Sequence, residues 1–439
     1  MHSFASAAVV GLCSTLVAAA PLAQGPGSFG GSGSEHGGYK PSSIMSSMSS
    51  TSTGSVSYNS GSSKGNNHDN QKAFSFPLAN GFPNPNPQQL KDIEQQAFGT
   101  LPNGAPPPSI SDQGVTNLQL IAFNELFEVA FFTELIQNIT SNLPGYQFAD
   151  KSERDFVLDT LIAVQAQEEL HELNANGALK HFGKDPIQPC EYVFPVDTFD
   201  DAIALAALFT DLVLGTLQDV QEVFADNNDN GLVRGIGSVI GNEGEQEGFY
   251  RVLQKKRPNE LPFLTTSTRD FAFSALQAFV APGSCPNENE INLDIFFPLT
   301  VVTPPSAKDS LVKYQVNFSK LVTGESGSGS EGGYKSSSSS SSTKRTSSPS
   351  FSPPSNGDYS TYMSSLSLVL INQQNVPLVE KLQNVHVEGK VVTFEAEFPF
   401  TEEELNGLTI AALVRGEGPF GSADEVAEVT VAAPGLIEV

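Results

Sequence analysis

The feature that most constrains the fold is a helical pattern in which acids replace apolar residues on the stripe that should face the core. Between Asn117 and Val280, apolar side chains recur at steps of three and four, the spacing of one helix face. One such stripe consists of Val157, Leu161, Val164, Glu168, His171, Ala175 and Ala178. Glu168 and His171 are therefore predicted to point into the core.

The neighbouring stripe of the same segment is more polar. It consists of Leu158, Ile162, Gln165, Glu169, Glu172 and Asn176. We therefore interpret Glu168 and His171 as the inward pair and this second stripe as the wetter face.

Four long helices are predicted, and each carries an acid within its apolar pattern. Their expected ranges are 116–140, 152–181, 198–224 and 231–254, and a shorter fifth helix is expected over 267–280. The candidate inward residues are Glu125, Glu128, Glu168, His171, Asp211, Glu243 and Gln246. Together they predict a polar centre inside a bundle of helices.

Ionised carboxylates in one dry core repel each other, so they must bind a cation or share protons. Carboxylate oxygens combined with an imidazole suit divalent metals, and a Glu-x-x-His spacing directs both side chains to one ion. The sequence therefore predicts a metal site, for iron or manganese, built from these seven residues. The alternative is a buried, proton-sharing network that binds no metal.

Three segments carry a resemblance to a known family. They are Phe123–Phe132 (FNELFEVAFF), Glu168–His171 (EELH) and Ile240–Arg251 (IGNEGEQEGFYR). They are similar to the ferritin-like domain of secreted fungal proteins known as late sexual development or stress-response proteins. The resemblance covers about residues 117–280 and implies a ferritin-like bundle with a role in development or stress. Gln246 stands where a second Glu-x-x-His motif would place histidine.

Charge and the N-terminal residues indicate the compartment. The net charge of -26 argues against nucleic acid and anionic membrane surfaces as partners. Residues 1–20 have the pattern of a secretory signal peptide, and no later uncharged apolar run reaches the ~18 residues that span a bilayer. We expect a secreted protein of the cell wall, with wall polysaccharide or other wall proteins as partners.

Residues 21–110 are predicted to be disordered, because they are first Gly/Ser-rich and then Pro-rich. One short helix is expected there, over 88–98.

For a secreted protein we also expect two covalent modifications, a disulfide and N-glycosylation. Cys190 and Cys285 remain once Cys13 leaves with the signal peptide, and an even count in a secreted chain predicts one disulfide. Two buried free thiols are the alternative. Asn138 and Asn317 head glycosylation sequons.

The C-terminal part changes to the alternating pattern of strands. Strands are predicted near 311–321, 365–372, 382–387, 390–398, 408–415 and 425–431, with a tight hairpin turn at Val387–Lys390. They indicate a small antiparallel β-sandwich over 291–439, interrupted by a Ser-rich insert at 324–358. This part contains no nucleophile–base pair, so we expect it to be structural or adhesive.

The predicted fold class is thus multidomain α and β: a ferritin-like bundle with a short fifth helix over 111–290, then the sandwich. Two functions follow. The favoured one is a structural or binding protein of the cell surface that holds metal in its bundle and is not an enzyme. The alternative is a di-metal oxidase or a metal-sequestering protein.

Overall fold

The computed structural model describes residues 75–319 and 357–439. The predicted signal peptide, the Gly/Ser-rich residues up to 74 and nearly all of the Ser-rich insert lie outside the described residues. Within those two ranges the fold is mixed, with nine α-helices and two four-stranded antiparallel sheets.

A short helix and four long helices open the described chain. Their bounds are α1 Pro87–Gln96, α2 Asp112–Thr140, α3 Lys151–His181, α4 Phe199–Asp226 and α5 Asn230–Leu253. The side chains of Ser111, Asp150 and Thr198 cap α2, α3 and α4 by accepting backbone N–H groups. All five helices lie close to their predicted positions.

The long helices pack in pairs. Helix α2 packs along α3, α4 packs along α5, and α2 also contacts α4. Phenylalanines join the pairs: the ring of Phe209 on α4 lies 5.1 Å from Phe127 and 5.1 Å from Phe131 on α2. These edge-to-face contacts add to the burial of apolar area that holds the two pairs together.

Residues 75–110 are structured, so the prediction of disorder as far as residue 110 is wrong. Phe82 and Ile93 are fully buried. Ile93 and Ala97 of this segment cluster with Ala166 and Leu170 of α3. A few buried apolar side chains are enough to order this Pro-rich segment, because they pack against the apolar surface of α3.

Glu169, Glu172 and Asn176 of the second, more polar stripe of α3 are also buried, contrary to their predicted wetter position. Asn80 Nδ2 donates to Glu169 Oε2 at 2.7 Å. Asn176 donates from Nδ2 to Glu172 and accepts from the backbone N–H of Ile187 at 2.8 Å. The segment before α2 and the connection after α3 cover this face, and amides donate to both acids, although Glu172 Oε2 has no hydrogen-bond partner among the described residues.

A disulfide fastens the connection between α3 and α4. Cys190 and Cys285 are bonded, with Cα atoms 4.3 Å apart, so the predicted bridge is confirmed and the alternative of free thiols is wrong. The second cysteine follows helix α6 (Arg269–Leu276). Backbone bonds beside the bridge, from Val193 N–H to Phe279 O and from Ala281 N–H to Glu191 O, are both 2.8 Å.

The second part contains eight strands and three short helices. The strands are β1 Leu299–Val301, β2 Ser310–Asn317, β3 Leu366–Asn372, β4 Leu378–Glu380, β5 Gln383–Glu388, β6 Val391–Phe398, β7 Leu408–Arg415 and β8 Thr430–Glu438. The helices are α7 Tyr359–Met363, α8 Phe400–Glu403 and α9 Ala423–Val429. The sheet orders are β1-β2-β6-β5 and β4-β3-β7-β8.

The two sheets face each other across one apolar cluster. Tyr314 and Phe394 from the first sheet share this cluster with Leu368, Leu370 and Leu413 from the second. The predicted sandwich is thus confirmed as two antiparallel sheets, and the predicted hairpin turn joins β5 to β6.

One strand prediction is wrong: residues 425–431 are mostly helix. Ser422 caps α9 by accepting the backbone N–H of Glu425, and Ala423, Val426 and Ala427 are buried on one helical face. The strand begins only at Thr430. A helix of seven residues is too short for its period to be told from a strand pattern.

The outer face of the second sheet packs on helices. Val369 of β3 and Ile410 of β7 share a cluster with Leu208 and Leu212 of α4 and with Phe271 of α6. Every residue of β3 is therefore buried. Helix α4 is the one described helix that is long and apolar enough to span a membrane, yet most of its apolar window is buried inside the protein.

Candidate metal centre

Four of the predicted ligands converge. Glu125 of α2, Glu168 and His171 of α3, and Glu243 of α5 each offer one ligand atom, and these atoms lie within 4.8 Å of one another. The three glutamates are between 0% and 1% exposed, and the His171 side chain is 14% exposed. The periodicity that predicted inward acids on these three helices is confirmed.

Glu168 is the most connected acid of this group. Its Oε2 lies 2.7 Å from His171 Nδ1, one helical turn away, and its Oε1 accepts from Gln246 Nε2 at 2.5 Å. Gln246 in turn accepts from the Tyr250 hydroxyl at 3.4 Å. The opposed helices α3 and α5 are thus joined through one carboxylate.

Glu128 borders the group on α2. It is 1% exposed, and its Oε1 accepts from Asn124 Nδ2 at 3.0 Å. Burial raises the pKa of Glu128 well above its ordinary value, and the nearby charges of Glu168, Glu243 and Glu125 raise it further. A fourth carboxylate therefore shares the electrostatic environment of the other three.

Several buried oxygens of the group lack a hydrogen bond. Both carboxylate oxygens of Glu243 and Oε2 of Glu125 have no hydrogen-bond partner among the residues that the structure describes. Buried polar atoms are nearly always paired, and each orphan is a vacant acceptor position. Glu125 Oε2 lies 3.7 Å from His171 Nδ1, close enough for electrostatic attraction.

Without a cation the group retains protons. Burial raises the pKa of Glu125 to about 7, although attraction to the nearby His171 opposes the shift. Burial, and then the charges of Glu125 and Glu168, raise the pKa of Glu243 well above its ordinary value. Burial alone would lower the pKa of His171, but Glu168 and Glu125 outweigh it and raise that pKa. This cluster of buried acids therefore stabilises positive charge, either as bound protons or as a cation.

Asp211 does not join this group. Its ligand atom instead lies within 4.8 Å of those of Glu247 and Glu260. Helix α4 is apolar nearly all round, so its periodicity does not fix the direction of a single acid. Glu247 was missed as a site residue, although its spacing of four from Glu243 places both on one side of α5.

The two sequon asparagines lie at element ends. Asn138 is half-buried in the last turn of α2. Asn317 ends β2, and its side-chain oxygen accepts from the backbone N–H of Ser319 at 3.0 Å. Glycosylation of both residues stays a prediction.

Comparison of the sequence with models of known protein families and with curated proteins found no match. The resemblance to secreted fungal ferritin-like proteins therefore stays a prediction. The geometry of the buried acids is the observation from which a function can be inferred.

Proposed function

We propose that the chain is a secreted ferritin-like protein that binds a divalent metal inside its helices and has a structural or binding role at the fungal cell surface, in development or stress. The convergence of Glu125, Glu168, His171 and Glu243 in a nearly water-free core carries this proposal. Unpaired buried carboxylates are unfavourable unless a cation or protons compensate them.

The donor set fits iron or manganese. Three carboxylates and one imidazole form a mixed oxygen and nitrogen set, which suits Fe²⁺ and Mn²⁺ better than an all-oxygen cation such as Ca²⁺. Glu125 and Glu243 would supply their vacant oxygens, whereas Glu168 and His171 would supply atoms that now bond each other. When bound, such a metal supplies redox or purely structural chemistry.

The surrounding residues orient these ligands. Gln246 holds Glu168 by donating to Oε1, and Asn124 holds Glu128 in the same way. Such outer hydrogen bonds fix the direction of a ligand before a metal arrives.

The alternative is a di-metal oxidase or a metal-sequestering protein, and Glu128 is the observation that favours it. With Glu128, four carboxylates share one electrostatic environment. Their four negative charges would balance two divalent ions, the number that di-metal carboxylate proteins hold.

Metal content tests the proposal. We expect purified full-length protein to contain iron or manganese, and Glu243→Gln to lower that content at least tenfold, because the substitution removes a ligand charge. Glu245→Gln is the matched control, since Glu245 is exposed on the same helix. Wild-type protein that binds neither metal after dialysis against each would contradict the proposal.

Oxygen consumption separates the two functions. Aerobic addition of Fe²⁺ to an oxidase produces catalytic oxygen uptake that Glu243→Gln abolishes. A passive binder takes up metal without turnover, which is the result that we expect.

A further inference from the structure

A second group of buried acids lies apart from the metal centre, where the helices meet the second sheet. Asp211 of α4, Glu247 of α5 and Glu260 of the following loop place one ligand atom each within 4.8 Å of one another. Glu438, near the end of β8, lies beside them and adds negative charge to their surroundings.

Two members of this group have vacant acceptors. Asp211 is 4% exposed and Glu247 is 1% exposed. Neither oxygen of either carboxylate has a hydrogen-bond partner in the described part of the chain. Burial raises the pKa of both acids well above the ordinary value, and neighbouring carboxylates add to the shift.

Basic residues compensate only part of the group. Arg251 Nη1 forms an ion pair with Glu260 and lies 3.8 Å from Glu438 Oε1 and 4.0 Å from Glu247 Oε1. Lys256 Nζ lies 3.3 Å from Glu438 Oε1. Four carboxylates thus face two cationic side chains, so one divalent cation would balance the group when all four acids are ionised.

We propose that Asp211, Glu247 and Glu260 form a second cation site, which binds calcium. The three ligands are carboxylates, and hard cations prefer such all-oxygen sets. Calcium accepts several protein carboxylates in a flexible geometry, whereas Mg²⁺ demands a near-ideal octahedron and retains several waters. The three ligand atoms lie within 4.8 Å of one another, close enough to contact one such ion. This inference does not rest on the function proposed above.

The site would connect distant parts of the chain. Calcium would bridge α4, α5 and the loop that contains Glu260, while Arg251 and Lys256 link the same loop region to Glu438 on β8. Bound calcium would therefore fasten α4, α5 and this loop to one another beside the sheet.

Calcium titration of the full chain tests this inference. After treatment with a chelator, we expect Ca²⁺ to bind with a one-to-one stoichiometry in calorimetry and to raise the Tm. Asp211→Asn and Glu247→Gln should each weaken Ca²⁺ binding at least tenfold. Because each substitution neutralises a buried acid whose oxygens accept no hydrogen bond, the calcium-free variants should keep the wild-type Tm or exceed it, which shows that they fold.

Two control variants distinguish this site from the metal centre. Glu428→Gln changes an exposed acid on α9, and Glu243→Gln changes the other centre. Both should bind Ca²⁺ as the wild type does. Wild-type protein that does not bind Ca²⁺, folded variants that bind it normally, or loss of binding only in Glu243→Gln would overturn the site. An equal response to Mg²⁺ would overturn its assignment to calcium.

Discussion

At the scale of single residues, Glu168 makes the hydrogen bonds that connect the buried centre. It is fully buried and bonds His171 on its own helix and Gln246 on the opposed helix. A buried acceptor that loses one donor retains an unsatisfied lone pair. Gln246 therefore contributes to the stability of the fold as well as to the orientation of a ligand.

We predict that Gln246→Ala lowers the unfolding free energy of the metal-free protein by about 1–3 kcal/mol, because it leaves Glu168 Oε1 without that donor. Urea denaturation in the presence of a chelator measures the change. Glu245→Ala is the control at the neighbouring exposed position, with an expected effect within about 0.5 kcal/mol. Equal effects of the two substitutions would contradict a specific role for this hydrogen bond.

Whether an acidic side chain points into the core could be predicted only where the helix has a clear polar side. Glu125, Glu168 and Glu243 interrupt apolar stripes, and all three point inward. Asp211 belongs to a helix with no polar side, so its partners could not be predicted. Glu169 is buried because Asn80, 89 residues earlier, covers it, and no local pattern contains that contact.

At the scale of elements, the disulfide has the largest calculable effect. It joins the connection between α3 and α4 to the segment after α6, and its cysteines are 95 residues apart. A link of that span restricts the unfolded chain far more than it changes the folded one in the chain-entropy model.

We predict that the double substitution Cys190→Ala and Cys285→Ala lowers the unfolding free energy by about 4.7 kcal/mol, the chain-entropy value for a loop of this length. The urea midpoint of the variant, compared with that of the wild type, checks the value. Reduction of the wild type by dithiothreitol should produce a similar shift. A midpoint that neither change moves would show that the bridge does not stabilise the fold.

Long elements were predictable, and the shortest ones were not. Helices of 24 to 31 residues repeat their period many times. The strands β1 and β4 have three residues each, and they exist only because β2 and β3 pair with them. The helix α9 fits a strand pattern equally well until its capping residue is recognised.

At the scale of the whole molecule, buried acids give the stability a characteristic dependence on pH. Burial raises the pKa of Glu125 and Glu169 to about 7, that of Glu172 to about 8 and that of Asp219 to about 6. The unfolded chain would release these protons near pH 4. Between about pH 4 and these raised pKa values, the folded protein binds more protons than the unfolded chain.

We predict that the unfolding free energy of the chelator-treated protein falls as pH rises from about 5 to about 8. The loss is about 1.4 kcal/mol per pH unit for each excess proton. Urea denaturation at several pH values measures it. Saturating Mn²⁺ should weaken the trend, because a cation then replaces the protons. A stability that rises with pH over this range would contradict the proton-retaining centre.

The sheet that contains β3 and β7 lies between the helices and the other sheet, and it is apolar on both sides. Neither the helical half nor the two-sheet half of the protein could therefore be produced alone without exposing an apolar surface. A fragment cut near residue 290 would leave Leu208, Leu212 and Phe271 in contact with water. Proteolysis between the halves would thus yield insoluble pieces instead of two working domains.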